Sequence, residues 1–165
     1  MDHIWSPWRM EYIMHNQPKE SGSCFFCEAL DMVDSPENLV VHRGQYSFAI
    51  LNRYPYTSGH LMVVPNAHEP SIEMLDSSTN TEIMALISQS MQVLKDIYSP
   101  EGYNLGANIG KSAGAGVLDH VHFHVVPRWA GDTNFMTTTS GARVLPENLA
   151  DTFGRIKSRW EEIFG

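Results

Sequence analysis

Only two of the 165 residues are cysteine, so no disulfide framework holds this chain together, and its length allows a core that needs none. Basic residues are also scarce. Lys and Arg number 11 against 19 Asp and Glu, a formal charge of −8. That balance argues against non-specific binding to DNA or anionic membrane, because phosphate surfaces select basic faces. A small anionic substrate in a local basic pocket stays open, with Arg9, Arg53, Lys111, Arg128 and Arg143 the available cations. No stretch approaches the roughly 18 consecutive apolar residues of a membrane span. Residues 1–14 are broken by Asp2, Pro7, Arg9 and Glu11, which is not a signal-peptide pattern, and a cytoplasmic location is expected. There is no internal repeat or low-complexity linker. A single domain over residues 1–165 is expected.

What is present begins with an aromatic segment carrying Trp5, Trp8 and Tyr12, within a first stretch of 35 residues that reads as irregular. Residues 38–41 and 45–52 read as two strands around an Arg43-Gly44 turn. Leu61 to Val64 reads as a buried strand ending at Pro65. Thr79 and Glu82 are spaced for a capping box. Ile83, Ile87, Met91, Leu94 and Tyr98 then recur at helical spacing until Pro100 stops the run. Tyr103 to Ile109 reads as a further strand. A last helix is expected from Pro146, with Leu149, Phe153, Ile156, Trp160 and Ile163 on one face. This order predicts an α+β fold with a largely antiparallel sheet.

The densest chemistry lies in Asp119-His120-Val121-His122-Phe123-His124-Val125-Val126-Pro127-Arg128-Trp129. On a strand, alternate side chains share a face, so the spacing places three imidazoles together. Imidazole titrates near neutrality and serves as nucleophile, proton carrier or metal ligand. A structural metal site or a plain polar strand face is the alternative reading. Before it runs Asn108-Ile109-Gly110-Lys111-Ser112-Ala113-Gly114-Ala115-Gly116. Its small residues let backbone N–H groups approach an anion, and Lys111 adds charge. The loop lacks the Walker spacing, and taken alone it reads equally as a flexible turn between two strands; its position directly before the histidines favours the anion site. His60 follows Gly59 at a strand start: a histidine there is often a surface residue, while the apolar strand that follows would run through the core and bring it beside the three histidines.

Cys24-Phe25-Phe26-Cys27 has metal-ligand spacing, and tetrahedral zinc needs two more ligands. His68 and one histidine of the triplet are the available partners. A redox pair would open a helix after a strand in a thioredoxin-like unit, which the pattern does not show.

The pattern resembles the histidine triad (HIT) superfamily, whose signature is His-x-His-x-His followed by two apolar residues. His120 to Val126 fits it without a gap, and the resemblance extends to Leu51-Asn52-Arg53-Tyr54-Pro55, Gly59-His60-Leu61 and the cysteine pair. Ile4 to Met10, the Val126-Pro127-Arg128-Trp129 ending and Gly131-Asp132-Thr133-Asn134-Phe135 are similar to the bacterial diadenosine tetraphosphate phosphorylase-like branch, related to the fragile-histidine-triad hydrolases. The resemblance implies a HIT-like fold: an antiparallel sheet of about five strands, a long central helix and a C-terminal helix, usually as a homodimer. It implies His122 as nucleophile toward the α-phosphorus of a nucleotide, with His124 and His60 at the phosphates. Asn52, Asn108, Lys111, Gly114, Gly116, Arg128 and Trp129 are the expected substrate contacts. Cys24, Cys27, His68 and His120 are the implied ligands of a structural zinc, and no catalytic cofactor is required. Two departures stand out. Gly116 occupies a position where many relatives carry Gln or Ser, so that side-chain donor is missing, and close phosphorylase-like relatives need not keep the cysteine pair.

The leading expectation is a nucleotide hydrolase or nucleotidyltransferase acting on dinucleoside polyphosphates, with water or inorganic phosphate as acceptor. A nucleotide sensor with little turnover and a zinc-dependent structural module are the competing classes. Trp5 and Trp8 are expected to pack on their own subunit.

Overall fold

A computed structural model describes residues 24–132 and 147–165. Trp5, Trp8, Arg9, the Ile4 to Met10 motif, Thr133 to Phe135, Arg143 and Pro146 lie outside the described residues.

Five antiparallel strands form one sheet in the order β1-β2-β3-β5-β4. They are β1 (Val40–Arg43), β2 (Ser47–Leu51), β3 (Leu61–Pro65), β4 (Gly102–Gly106) and β5 (Phe123–Arg128). Every residue of β2 and β3 is buried. That explains why these strands read as continuous apolar runs, since a strand covered on both faces has no reason to alternate. Helix α1 (Phe25–Asp31) precedes the sheet. The long helix α2 (Ser77–Tyr98) packs on β2, β3 and β5, and the C-terminal helix α3 (Leu149–Phe164) packs on β1 and α2. Phe153, Ile156 and Trp160 bury the inner face of α3, whereas Ile163 at its end is 38% exposed. Both expected helices are therefore present, and the sheet has the five strands expected.

Several local expectations are corrected. The first 35 residues are not all irregular, because a helix runs over Phe25–Asp31, directly after Cys24. A seven-residue helix is too short to declare itself by period. Its last carbonyls depend on a distant side chain: the Arg43 guanidinium donates to the carbonyls of Ala29 (3.1 Å), Leu30 (2.8 Å) and Met32 (2.8 Å). Those are the orphan acceptors of a helix end, and a cation suits that end of the dipole.

The capping box is also absent. Asp76 caps α2, its side chain accepting from the Thr79 N–H at 2.7 Å. Glu82 instead accepts from the Gln45 N–H (2.8 Å), the Tyr46 N–H (2.7 Å) and the Ser47 hydroxyl (2.8 Å), holding the β1–β2 turn. A turn's unpaired N–H groups outbid the helix's own for this carboxylate, because three charge-assisted bonds exceed one. Strand β1 runs on through Arg43, and β4 stops at Gly106, short of Ile109. Gly59 sits at φ +76°, and a Cβ there would lie 2.8 Å from Leu94. That close approach of loop to helix places the next residue, His60, directly before β3.

Candidate active site

The histidine triplet is only partly strand. Strand β5 starts at Phe123, so His120 and His122 lie in the segment before it and only His124 lies within it. Alternation nevertheless persists. The His122 and His124 rings stand 5.1 Å apart, and Met62 of β3 and Gly106 of β4 flank His124 in register. His60, His120 and His122 are buried.

Hydrogen bonds assign a proton to one nitrogen of each ring. The backbone N–H of Tyr56 reaches His60 Nδ1 at 3.1 Å, and Asn52 Nδ2 lies 3.4 Å from the same atom. An amide N–H only donates, so Nδ1 accepts and Nε2 carries the proton. His60 Nε2 in turn donates to His124 Nδ1 at 2.9 Å. The remaining proton of neutral His124 is therefore on Nε2. His122 Nδ1 lies 3.0 Å from the carbonyl oxygen of His120. A carbonyl only accepts, so His122 Nδ1 is protonated and its Nε2 lone pair is bare.

Burial keeps the His122 and His124 rings neutral. It lowers the pKa of His122 against the opposing pull of the His120 carbonyl. For His124 burial, helped by the neighbouring His122, brings the value down to about 4. A neutral ring with an unprotonated nitrogen is the form that attacks an electrophile.

Beside His124 opens a cavity of about 300 Å³, lined in part by Tyr56, Asn104, Asn108 and Arg128. Arg128 is held there by Asp132 (2.5 and 2.9 Å) and by Asn104 (2.6 Å). Its charge is largely matched before any ligand arrives. Trp129 donates its indole N–H to the Tyr98 carbonyl at 3.3 Å. Lys111, Gly114 and Gly116 are exposed in the turn before the triplet, with Gly114 in a left-handed conformation at φ +83°. They do not line the cavity.

A second constellation adjoins the first. One donor atom from each of Cys24, Cys27, His68 and His120 lies within 4.8 Å of the others. Nδ1 of His120 is 3.3 Å from Cys24 Sγ and 3.8 Å from Cys27 Sγ, and His68 Nδ1 is 3.3 Å from Cys27 Sγ. Tetrahedral donors at metal bonds of about 2.0–2.3 Å are spaced about 3.3–3.8 Å apart. His120 also donates from Nε2 to the Pro65 carbonyl at 2.8 Å, which turns the bare Nδ1 toward the thiols, as a ligating histidine requires. The donor set and spacing fit a metal ion. Burial raises the Cys27 thiol above its usual range, a shift that coordination to a cation reverses.

A model of the HIT domain matches residues 34–131. The chain belongs to the HIT family. It is 38% identical over 165 aligned residues to a protein of Mycobacterium tuberculosis named AP-4-A phosphorylase, covering 97% of this chain and 85% of that one. It is 32% identical over 93 residues to the asymmetrical bis(5'-nucleosyl)-tetraphosphatase of Schizosaccharomyces pombe, covering 56% of this chain and 50% of that one. Among solved structures, a zinc-bound histidine triad family protein from Mycobacterium smegmatis superimposes with a TM-score of 0.68 at 23% identity, covering 86% of this chain and 95% of that one.

Of the candidates read from the sequence, the HIT fold brings His60, His122 and His124 together, sets Asn52 against His60, and gathers Cys24, Cys27, His68 and His120. Sequence reading missed Tyr56, whose ring centroid lies 4.6 Å from that of His60 and whose N–H sets that ring's tautomer. It also missed Phe26. A backbone donor leaves no trace in residue type, and a phenylalanine between two cysteines carries no chemical label. No helix among the described residues is long and apolar enough to cross a membrane.

Proposed function

We propose that this HIT-family enzyme transfers a nucleoside monophosphate from a dinucleoside polyphosphate through a covalent nucleotidyl-His122 intermediate. The observation that carries the reading is the tautomer of His122: a buried, neutral ring whose Nδ1–H is held by the His120 carbonyl and whose Nε2 lone pair is bare. In the first step Nε2 attacks the α-phosphorus, and the bond from phosphorus to the bridging oxygen breaks, releasing the remaining polyphosphate. In the second step water or orthophosphate attacks the same phosphorus and frees Nε2, so one difficult displacement becomes two. His124 donates its Nε2–H toward the phosphate oxygens, and His60 acts through His124 by fixing which nitrogen carries that proton. Asn52, Asn108, Lys111, Gly114, Gly116, Arg128 and Trp129 are read as substrate contacts, with Asn108 and Arg128 best supported by their place at the cavity beside His124. The resemblance to the AP-4-A phosphorylase supports diadenosine tetraphosphate as substrate class.

Cys24, Cys27, His68 and His120 would hold a zinc ion, which supplies cross-linking of α1 to the triplet rather than reaction chemistry. We read the protein as a cytoplasmic homodimer. The edge position of β4, with Leu105 exposed, supports pairing between copies.

Incubating the protein with diadenosine tetraphosphate, with and without orthophosphate, tests the reading. ATP plus ADP appearing only with phosphate identifies phosphate as acceptor, and ATP plus AMP without it identifies water. His122→Ala is expected to lower turnover by at least about 10³-fold. Full turnover in that variant, or no cleavage by the wild type, overturns the proposal.

A further inference from the structure

The tautomer bond from His122 to the His120 carbonyl fixes which nitrogen is bare, but not the tilt of the ring. Hydrogen bonds to a carbonyl tolerate a broad range of angles. Two rings supply what the bond leaves loose. The His124 centroid lies 5.1 Å from that of His122 at an interplanar angle of 74°. The Phe26 centroid lies 5.1 Å away at 45°. Phe26 also meets His120 edge-on at 5.3 Å and 69°. It is 2% exposed and belongs to the hydrophobic core.

We propose that Phe26 is a positioning residue for the His122 nucleophile, and that α1 is anchored at both ends to hold it in place. At the start of the helix, Cys24 and Cys27 face His120 and His68. At the far end, Arg43 takes three backbone carbonyls and pairs with Asp34 at 2.7 Å. Asp34 is bridged in turn to Lys157 of α3 at 3.2 Å. Phe26 thus transmits the placement of a helix, set by a strand arginine and a cysteine–histidine cluster, to the ring that attacks phosphorus. A misplacement of the attacking atom by about 1 Å costs on the order of 100-fold in rate, so a ring clamp of this kind acts on turnover more than on affinity.

The activity half of the test rests on the nucleotidyl-transfer reading; the spectroscopic half does not. Phe26→Leu removes the ring but keeps an apolar side chain, and Phe153→Leu makes the same change on α3, away from the triplet, as a stability control. The expected result for Phe26→Leu is a kcat lower by about 10- to 100-fold with KM within about 3-fold of wild type. Phe153→Leu is expected to lower the unfolding midpoint similarly while leaving kcat nearly unchanged. In ¹⁵N-histidine-labelled protein without substrate, the His122 Nδ1–H resonance is expected to be sharp in wild type and broadened or lost in Phe26→Leu. Should Phe26→Leu not fold, Arg43→Met loosens the far end of α1, and the same broadening with a kcat loss of about 3- to 10-fold is expected. A His122 resonance unchanged in the folded variant overturns the proposal, as does a loss confined to KM or matched by Phe153→Leu. If the wild type turns over no dinucleotide, the resonance comparison still decides the role of Phe26 while the functional reading fails.

Discussion

The half-buried, neutral His124 makes the stability of this protein depend on pH in a defined window. Its pKa is about 4 in the folded chain, against about 6.5 for an unfolded histidine. Below pH 6.5 the unfolded chain takes up a proton that the folded chain refuses until about pH 4. Stability from this group is therefore complete above 6.5, falls as the pH drops, and is lost once the pH passes below about 4. A difference of about 2.5 units at about 1.4 kcal/mol each amounts to about 3 kcal/mol. Burial of the ring is the main cause, and the neighbouring His122 adds to it. His122 and His120 are displaced in the same direction, so wild type alone does not isolate His124. Urea denaturation of wild type and His124→Asn at pH 7.5 and at pH 4 does. The variant cannot titrate at this position, and its stability is expected to fall by about 3 kcal/mol less than that of wild type across the interval. Equal losses in the two proteins would refute the assignment of a depressed pKa to His124.

Three further outcomes follow from the geometry. A Cβ on Gly44 would sit 2.9 Å from the Glu82 carboxylate, so Gly44→Ala is expected to cost about 1–2 kcal/mol in wild type. In a Glu82→Ala background it should cost little, giving a double-mutant coupling of about 1 kcal/mol; additive losses would show that the clash is unimportant. Asp76→Ala is expected to destabilise by about 1 kcal/mol through loss of the α2 cap, and an unchanged denaturation midpoint would return that role to Thr79. Cys24→Ser is expected to lose bound zinc, measured by atomic emission on the purified protein, and to lower the melting temperature. Zinc retained at the wild-type stoichiometry would remove Cys24 from the ligand set.

The His-x-His-x-His run, the Gly59-His60 step and the helical period from Ile83 to Tyr98 were enough to place the fold and the imidazole cluster. Their information is local: a spacing of two along extended chain puts side chains on one side, and a spacing near 3.6 buries one stripe. Even though β5 begins three residues later than the spacing implied, the His122 and His124 rings still meet at 5.1 Å. The cysteine pair likewise carried its ligand spacing in plain view, and His68 and His120 joined it as the resemblance implied.

Tertiary structure alone decided which nitrogen of each ring bears a proton. Those assignments rest on the Tyr56 N–H and on the carbonyls of Pro65 and His120, backbone groups that every residue but proline, which lacks the N–H, possesses in kind and that only the fold brings near a ring. It likewise decided the use of charged side chains. Glu82 left its own helix for the β1–β2 turn, Arg43 left its strand to close α1, and Arg128 was matched by Asp132 and Asn104. A charge near a motif goes to whichever unsatisfied partner the folded chain presents at bonding distance, and sequence order does not encode that distance.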